Sequence, residues 1–213
     1  MKNITTLLLI ILISNVFYSQ KFEGAITYSI DYELPEIMEA QRAMLPTEMK
    51  TYCKKMTARV EQKTAMGDQI VISNTKTGES TLLMNMMGQK MAIEVGNQNK
   101  SEEESAHSIV YSDESKTIAG YLCKKATYTV FVEEQQDSIS MELYYTSQIS
   151  SKYNIQFKEL NGLPLEYTIN TQGMSMTFEA TNVEQNKLSK SLFKIPKEYE
   201  IISLEAFKKM MNQ

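Results

Sequence analysis

The sequence predicts a mainly β protein with some helix (α+β), built on an antiparallel sheet with covering helices, and three observations carry that expectation. Runs that alternate apolar and polar residues with period two recur along most of the chain. Gly, Pro, Asn and Asp punctuate them at short intervals, and the regular strand–helix alternation of a parallel sheet is missing. No repeat of solenoid length is present either.

The first residues, MKNITTLLLIILISNVFYSQ, combine Lys2 with an apolar run from Leu7 to Ile13 and a polar end. That is the layout of a secretory signal peptide, with an apolar run too short to span a bilayer. Residues 1–20 are therefore read as a cleaved leader, and 21–213 as a single β domain without a transmembrane span. No cysteine lies near the cleavage region, which argues against a lipid anchor there. Intact mass of the exported protein checks this: a chain starting near Gln20 or Lys21 is expected, and a mass matching all 213 residues would contradict it. The roughly 190 residues that remain suit one domain with a core of its own.

The first strand is read in FEGAITYSIDY, where Phe22, Gly24, Ile26, Tyr28, Ile30 and Tyr32 share a face. The period then changes. In LPEIMEAQRAMLPTEMKTY, Pro35 suits a first helical turn, Ile37, Met38, Gln41, Met44 and Leu45 fall on one side, and Pro46 ends the pattern. An amphipathic helix over Leu34–Leu45 is expected. From Cys53 onward KMTARVEQKT, DQIVISNTK, ESTLLMNMM and KMAIEV read as antiparallel hairpins, with turns at Gly67, at Asn74 to Gly78 and at Gly88. The polar stretch GNQNKSEEESAHSIVYSDES, with its acidic run Glu102 to Glu104, reads as a solvated loop between two halves of the sheet.

Strands resume in TIAGYLCKKATYTVFVEE, SISMELYYT, YNIQFKEL, LPLEYTIN and GMSMTFEATNVE, and a terminal helix follows that Ser203 can cap, with Lys208 and Lys209 near its C-terminus. Within LNGLPLEY, Asn161-Gly162 suits a positive-φ corner and Pro164 a strand entry, with Leu165, Tyr167 and Ile169 then facing one side.

A formal net charge of −4 with scattered basic residues argues against a nucleic-acid partner and against docking on anionic lipid. Two cysteines, Cys53 and Cys123, allow either one disulfide across a long loop or two separate buried thiols. Chemistry is sparse. The single His107 beside the acidic run reads as a solvated loop residue, Ser191 to Lys194 spells Ser-x-x-Lys without companion motifs, and consecutive glutamates diverge too far to hold a hard cation. Nothing calls for a cofactor, a metal or catalysis, and the chain is read as a non-enzyme.

Several segments together, KFEGAITYSI, KTIAGYLCKKA, YYT, NGLPLEY and EATNVEQNKLSKSLFKIPKEYEI, resemble the exported Bacteroidota proteins of the GLPGLI type and a sister family of unknown function, both sharing the fold of the outer-membrane lipoprotein carriers (LolA-like). The name-giving motif is incomplete, since Leu165-Glu166-Tyr167 stand where Gly-Leu-Ile would finish it, so the sister family is the closer fit. The resemblance implies a curved, half-open sheet whose concave apolar face is covered by helices, and an address in the periplasm or outside the cell, with the outer membrane nearby.

Periodicity makes the strands and the Leu34–Leu45 helix one-sided, so Tyr28, Ile30, Met91, Met141, Leu143, Tyr167 and Met176 are expected to meet Ile37, Met38 and Met44 at one apolar interface. The resemblance implies that this interface is hollow. The 15 methionines fit either a cavity that accepts flexible chains or ordinary core packing. Two functions are expected from this: a carrier or chaperone for a lipid or acylated ligand, or a cell-envelope module with a filled core that binds a partner protein.

Overall fold

The computed structural model of the chain describes residues 22–65, 67–86, 88–97, 107–132, 137–154, 156–157, 159–171 and 173–211. The leader and the acidic run Glu102 to Glu104 lie outside the described residues. The strands are β1 (Gly24–Glu33), β2 (Glu48–Lys54), β3 (Thr57–Thr64), β4 (Gly67–Asn74), β5 (Glu79–Met86), β6 (Gln89–Asn97), β7 (His107–Ile118), β8 (Tyr121–Val132), β9 (Asp137–Thr146), β10 (Leu163–Thr171), β11 (Met174–Gln185) and β12 (Glu200–Ser203). They form one curved open sheet in the order β12-β6-β5-β4-β3-β2-β1-β11-β10-β9-β8-β7. β1 to β6 pair antiparallel in succession, as do β7 to β11, and short turns of the kind the turn formers predict join several of these pairs. Asn74 makes one such turn, its side-chain Oδ1 accepting from the Lys76 and Thr77 amides, and Ala119-Gly120, at φ 47° and 83°, makes the β7–β8 turn.

Three strand assignments change. Residues 107–115, expected in a loop, belong to the long edge strand β7 (His107–Ile118), which the sequence hides because nearly all of it is exposed and so shows no alternation. Residues 48–52, which follow the expected end of the helix at Pro46 and precede the strands expected from Cys53 onward, belong to β2. YNIQFKEL, read as a strand, lies instead in the irregular β9–β10 connection, which among its described residues includes the 3-10 turn Ser151–Tyr153.

The segment Leu34–Leu45 is also corrected. It forms a 3-10 helix, Glu36–Met44, with no buried side chain. With three residues per turn instead of 3.6, the side chains grouped by helical spacing spread around the axis. Ile37 is 88% and Met44 62% exposed, and Met38 is half-buried. Polar contacts pin the segment to the end of β1: Arg42 Nη1 donates to the Tyr32 carbonyl at 3.1 Å, and the Tyr32 hydroxyl donates to the Pro46 carbonyl at 2.7 Å. It does not lie over the inner face.

The inner face is filled instead by the β9–β10 connection. Ile149, Tyr153, Phe157 and Leu160 are all buried in the main core with Ile26, Tyr28, Ile30, Tyr128, Leu143, Leu165, Tyr167 and Phe178. Phe157 stands edge-on to Tyr128 (5.3 Å between centroids) and to Tyr167 (5.2 Å), and Tyr167 stacks on Phe178 at 4.7 Å. Tyr153 ties the connection to the far wall, its hydroxyl donating to the carbonyls of Phe22 (3.0 Å) and Lys55 (3.2 Å).

Gly162 ends this connection for a different reason than expected. It is not among the positive-φ residues; a Cβ there would lie 2.1 Å from the Thr146 carbonyl oxygen, so β9 and β10 meet only because the side chain is absent. Pro164 follows, its carbonyl accepting from the buried Tyr28 hydroxyl at 3.0 Å.

Cys53 and Cys123 are separate buried thiols, not a disulfide. They sit on β2 and β8, which four strands separate in the sheet order. Burial pushes both thiols toward the protonated form, Cys123 up to about 11 and Cys53 further. Denatured, unreduced protein is therefore expected to titrate two thiols per chain, with slow reaction in the native state; no free thiol would contradict the structure.

After β11 the chain crosses to the far edge of the sheet. Glu23, Lys54 and Arg59 hold this crossing: Lys54 Nζ donates to the Glu23 carboxylate and to the Leu188 carbonyl, the Leu188 amide donates to Glu23 at 2.7 Å, and Arg59 Nη1 donates to the Leu192 carbonyl at 2.9 Å. The crossing includes a 3-10 turn, Lys190–Phe193, that absorbs the Ser-x-x-Lys spelling. The Lys54 hydrogen bond, then the Leu188 amide, lower the Glu23 pKa. A lowered carboxylate contributes its stability above the ordinary carboxylate range and loses it as pH falls through the lowered value. Amide exchange in residues 186–193 is thus expected to rise only under acid conditions below that range. β12 then adds parallel to β6, and α1 (Leu204–Met211), capped by the Ser203 hydroxyl accepting from the Ala206 amide at 3.1 Å, packs against β6 and β12.

Candidate functional site

Directly opposed residues in a ladder point to the same face, and the face alternates along each strand. Following the register from β1 to β6 traces three inner rows. One runs Tyr28, Met49, Gln62, Gln69, Met84, Met91; the next Ile26, Thr51, Val60, Val71, Leu82, Ile93; the third Gly24, Cys53, Ala58, Ser73, Ser80, Gly96. None of these side chains is charged. On the opposite face the rows Thr27, Lys50, Glu61, Ile70, Leu83, Ala92 and Ala25, Tyr52, Arg59, Ile72, Thr81, Glu94 mix charges with apolar groups. The crossing segment lies against this outer face at Lys54 and Arg59.

Burial along the inner rows is uneven. Residues on β1 and β2 join the filled core, and Met91 and Ile93 on β6 are buried. Between them Val60, Gln62, Gln69, Val71, Leu82 and Met84 are only half-buried. Together these six form a half-buried strip across β3, β4 and β5, called the trough below, about 10 Å between its outer strands at ordinary strand spacing. Its floor is apolar apart from the facing amides of Gln62 and Gln69, while Ser73 and Ser80, bonded to each other at 2.9 Å, close one end. A shallow open depression of ≈ 360 Å³ elsewhere, lined by Glu33, Asn170, Thr171, Gly173, Met174 and Ser175, sits at the rim of the sheet and contains none of the expected lining residues.

The expected lining residues divide in three. Tyr28, Ile30, Leu143 and Tyr167 come together, with Met141 and Met176 half-buried against them, but in the filled core. Met91 shares their face and stands at the far end of the Tyr28 row, beyond the trough. Ile37, Met38 and Met44 belong to the rim helix. Sequence reasoning missed the trough residues because IVIS and TLLM are apolar at both parities, so only the register tells which side chains turn inward.

His107, expected in a loop, opens β7, where its ring stacks on Tyr128 at 5.4 Å and its Nε2 lies 3.5 Å from Glu159 Oε2. Among the described residues no three His, Cys, Asp or Glu side chains gather as metal ligands, and no helix is long and apolar enough to cross a membrane.

No protein-family model matches the chain, and no curated protein matches it. The resemblance to the GLPGLI-type families thus stands on the quoted segments alone. Among solved structures the chain is similar to the Mycobacterium tuberculosis lipoprotein LppX, at TM-score 0.40 and 6% identity over 80% of this chain and 91% of that one. It is also similar to LprF from Mycobacterium bovis, at TM-score 0.35 and 10% identity over 86% and 93%.

Proposed function

We propose that the protein is an exported, non-enzymatic carrier that shelters an apolar ligand, a lipid or acyl chain, in the trough of β3–β5. One observation carries this reading: six half-buried, uncharged side chains form a continuous strip on the inner face, between a filled core and a covered edge. Strand faces left to water ordinarily carry charges, so an uncharged and half-buried inner strip is better suited to an apolar occupant than to water, although Leu83 and Ala92 on the opposite face are also buried. The address, periplasmic or extracellular, rests on the leader-like residues 1–20.

Saturable binding of a neutral, fluorescently labelled acyl ester to the mature protein is expected, abolished by Leu82→Glu with little change in melting temperature. A second reading, an envelope interaction module, is favoured by the β9–β10 connection, which leaves the other half of the inner face solid. Absence of saturable binding by any apolar probe would give that reading the lead.

A further inference from the structure

Resting on the carrier reading, we infer that the ligand is uncharged where it lies in the trough: a neutral acyl ester or neutral glycerolipid, not an ionised fatty acid or a phosphate-bearing lipid. Along the three inner rows from β1 to β6 there is no Lys, Arg or His to meet an anion. At the neighbouring edge β12 places Ile202 opposite Ile93 and the carboxylate of Glu200 opposite Met91, a charge that repels an anion. Lys152, on the connection that fills the other half, keeps its ammonium 4.9 Å from the Tyr153 ring centroid. The strand cations of this half of the sheet, Lys50, Lys54, Arg59, Lys63 and Lys90, fall on the outer face by register, Lys54 and Arg59 held there by Glu23, Glu61 and the crossing segment, while Lys208 and Lys209 in the last turn of α1 are exposed.

The polar groups the trough does offer fit a neutral head. Gln62 and Gln69 face each other across β3 and β4 on the row next to Val60 and Val71. A primary amide has two donors and a carbonyl acceptor, so the pair can donate to an ester carbonyl or accept from a glycerol hydroxyl, whereas a carboxylate removed from water beside them stays without a counter-charge. The apolar chain then runs over Val60, Val71, Leu82 and Met84. The polarity of the trough thus selects by charge, not by chain length.

The test compares one fluorescent acyl chain in two forms, free acid and methyl ester, at neutral pH and below the concentration at which either forms micelles. The ester is expected to bind about tenfold or more tightly than the ionised acid, an unpaired carboxylate being costly to desolvate. In Gln69→Lys, a half-exposed position where a long side chain can be accommodated, the preference should fall or invert, with melting checked in parallel. Equal binding of the two forms, or tighter binding of the acid by the wild type, would overturn the neutral-ligand inference while leaving an apolar carrier in place. Failure of both forms to bind would overturn the carrier reading, and this inference with it.

Discussion

Gly162→Ala is expected to destabilise the domain by about 3 kcal/mol, enough to lower its melting temperature by about 10 °C for a chain of this size. The added Cβ would stand 2.1 Å from the Thr146 carbonyl oxygen and 2.6 Å from its carbon, both main-chain atoms of β9. Backbone cannot rotate away as a side chain can, so the β9–β10 junction must part. That parting also disturbs the register that opposes Leu163 to Thr146 and Pro164 to Tyr145. Gly24→Ala meets the same obstacle 2.0 Å from the Glu184 carbonyl oxygen. By contrast, at Gly88 and Gly120 nothing lies within 4 Å of an added Cβ, and their cost comes only from φ of 84° and 83°. Thermal melts of the four alanine variants should separate the two pairs; a Gly162→Ala protein as stable as wild type would mean that β9 and β10 do not approach as described.

Phe157→Ala is expected to cost about 3 to 5 kcal/mol, the range for removing a large aromatic from a close-packed site. Phe157 is 1% exposed and touches the rings of Tyr128 and Tyr167. Its removal leaves a void lined by aromatic faces that the irregular connection cannot readily close. If the inner face beneath β8–β11 were instead hollow, the same truncation would cost little, since few contacts would be lost. Leu143→Phe asks the converse question at a residue 1% exposed, where overpacking is expected to cost about 1 to 3 kcal/mol.

Strands with one wet face could be read directly from the sequence: FEGAITYSIDY and LPLEYTIN alternate because one side meets core and the other meets water. Turns with a chemical reason, such as Asn74 to Gly78, and the Ser203 cap were equally legible. β7 was not, because an edge strand hydrated on both faces has no apolar period to show. The connection containing Phe157 misled in the opposite sense: Tyr153 and Phe157 have strand-like spacing, yet both point inward from an irregular chain. The rim helix misled because a 3.6-residue pattern was assumed where the backbone turns every three residues. For the candidate site, the strands were visible but the face was not. Ile70, Val71 and Ile72 are all apolar, and only the pairing of Val71 with Val60 and Leu82 assigns it to the trough.

The chain contains no tryptophan, so one introduced at Val71 reports on the trough alone. The most direct measurement titrates Val71→Trp with a methyl ester whose acyl chain carries bromine, a quencher that acts only near contact, and compares it with Ile37→Trp on the exposed rim helix. Saturable quenching at position 71, with none at position 37, is the expected result. Quenching at position 37 only, or at neither, would contradict the assignment of the β3–β5 trough as the ligand site.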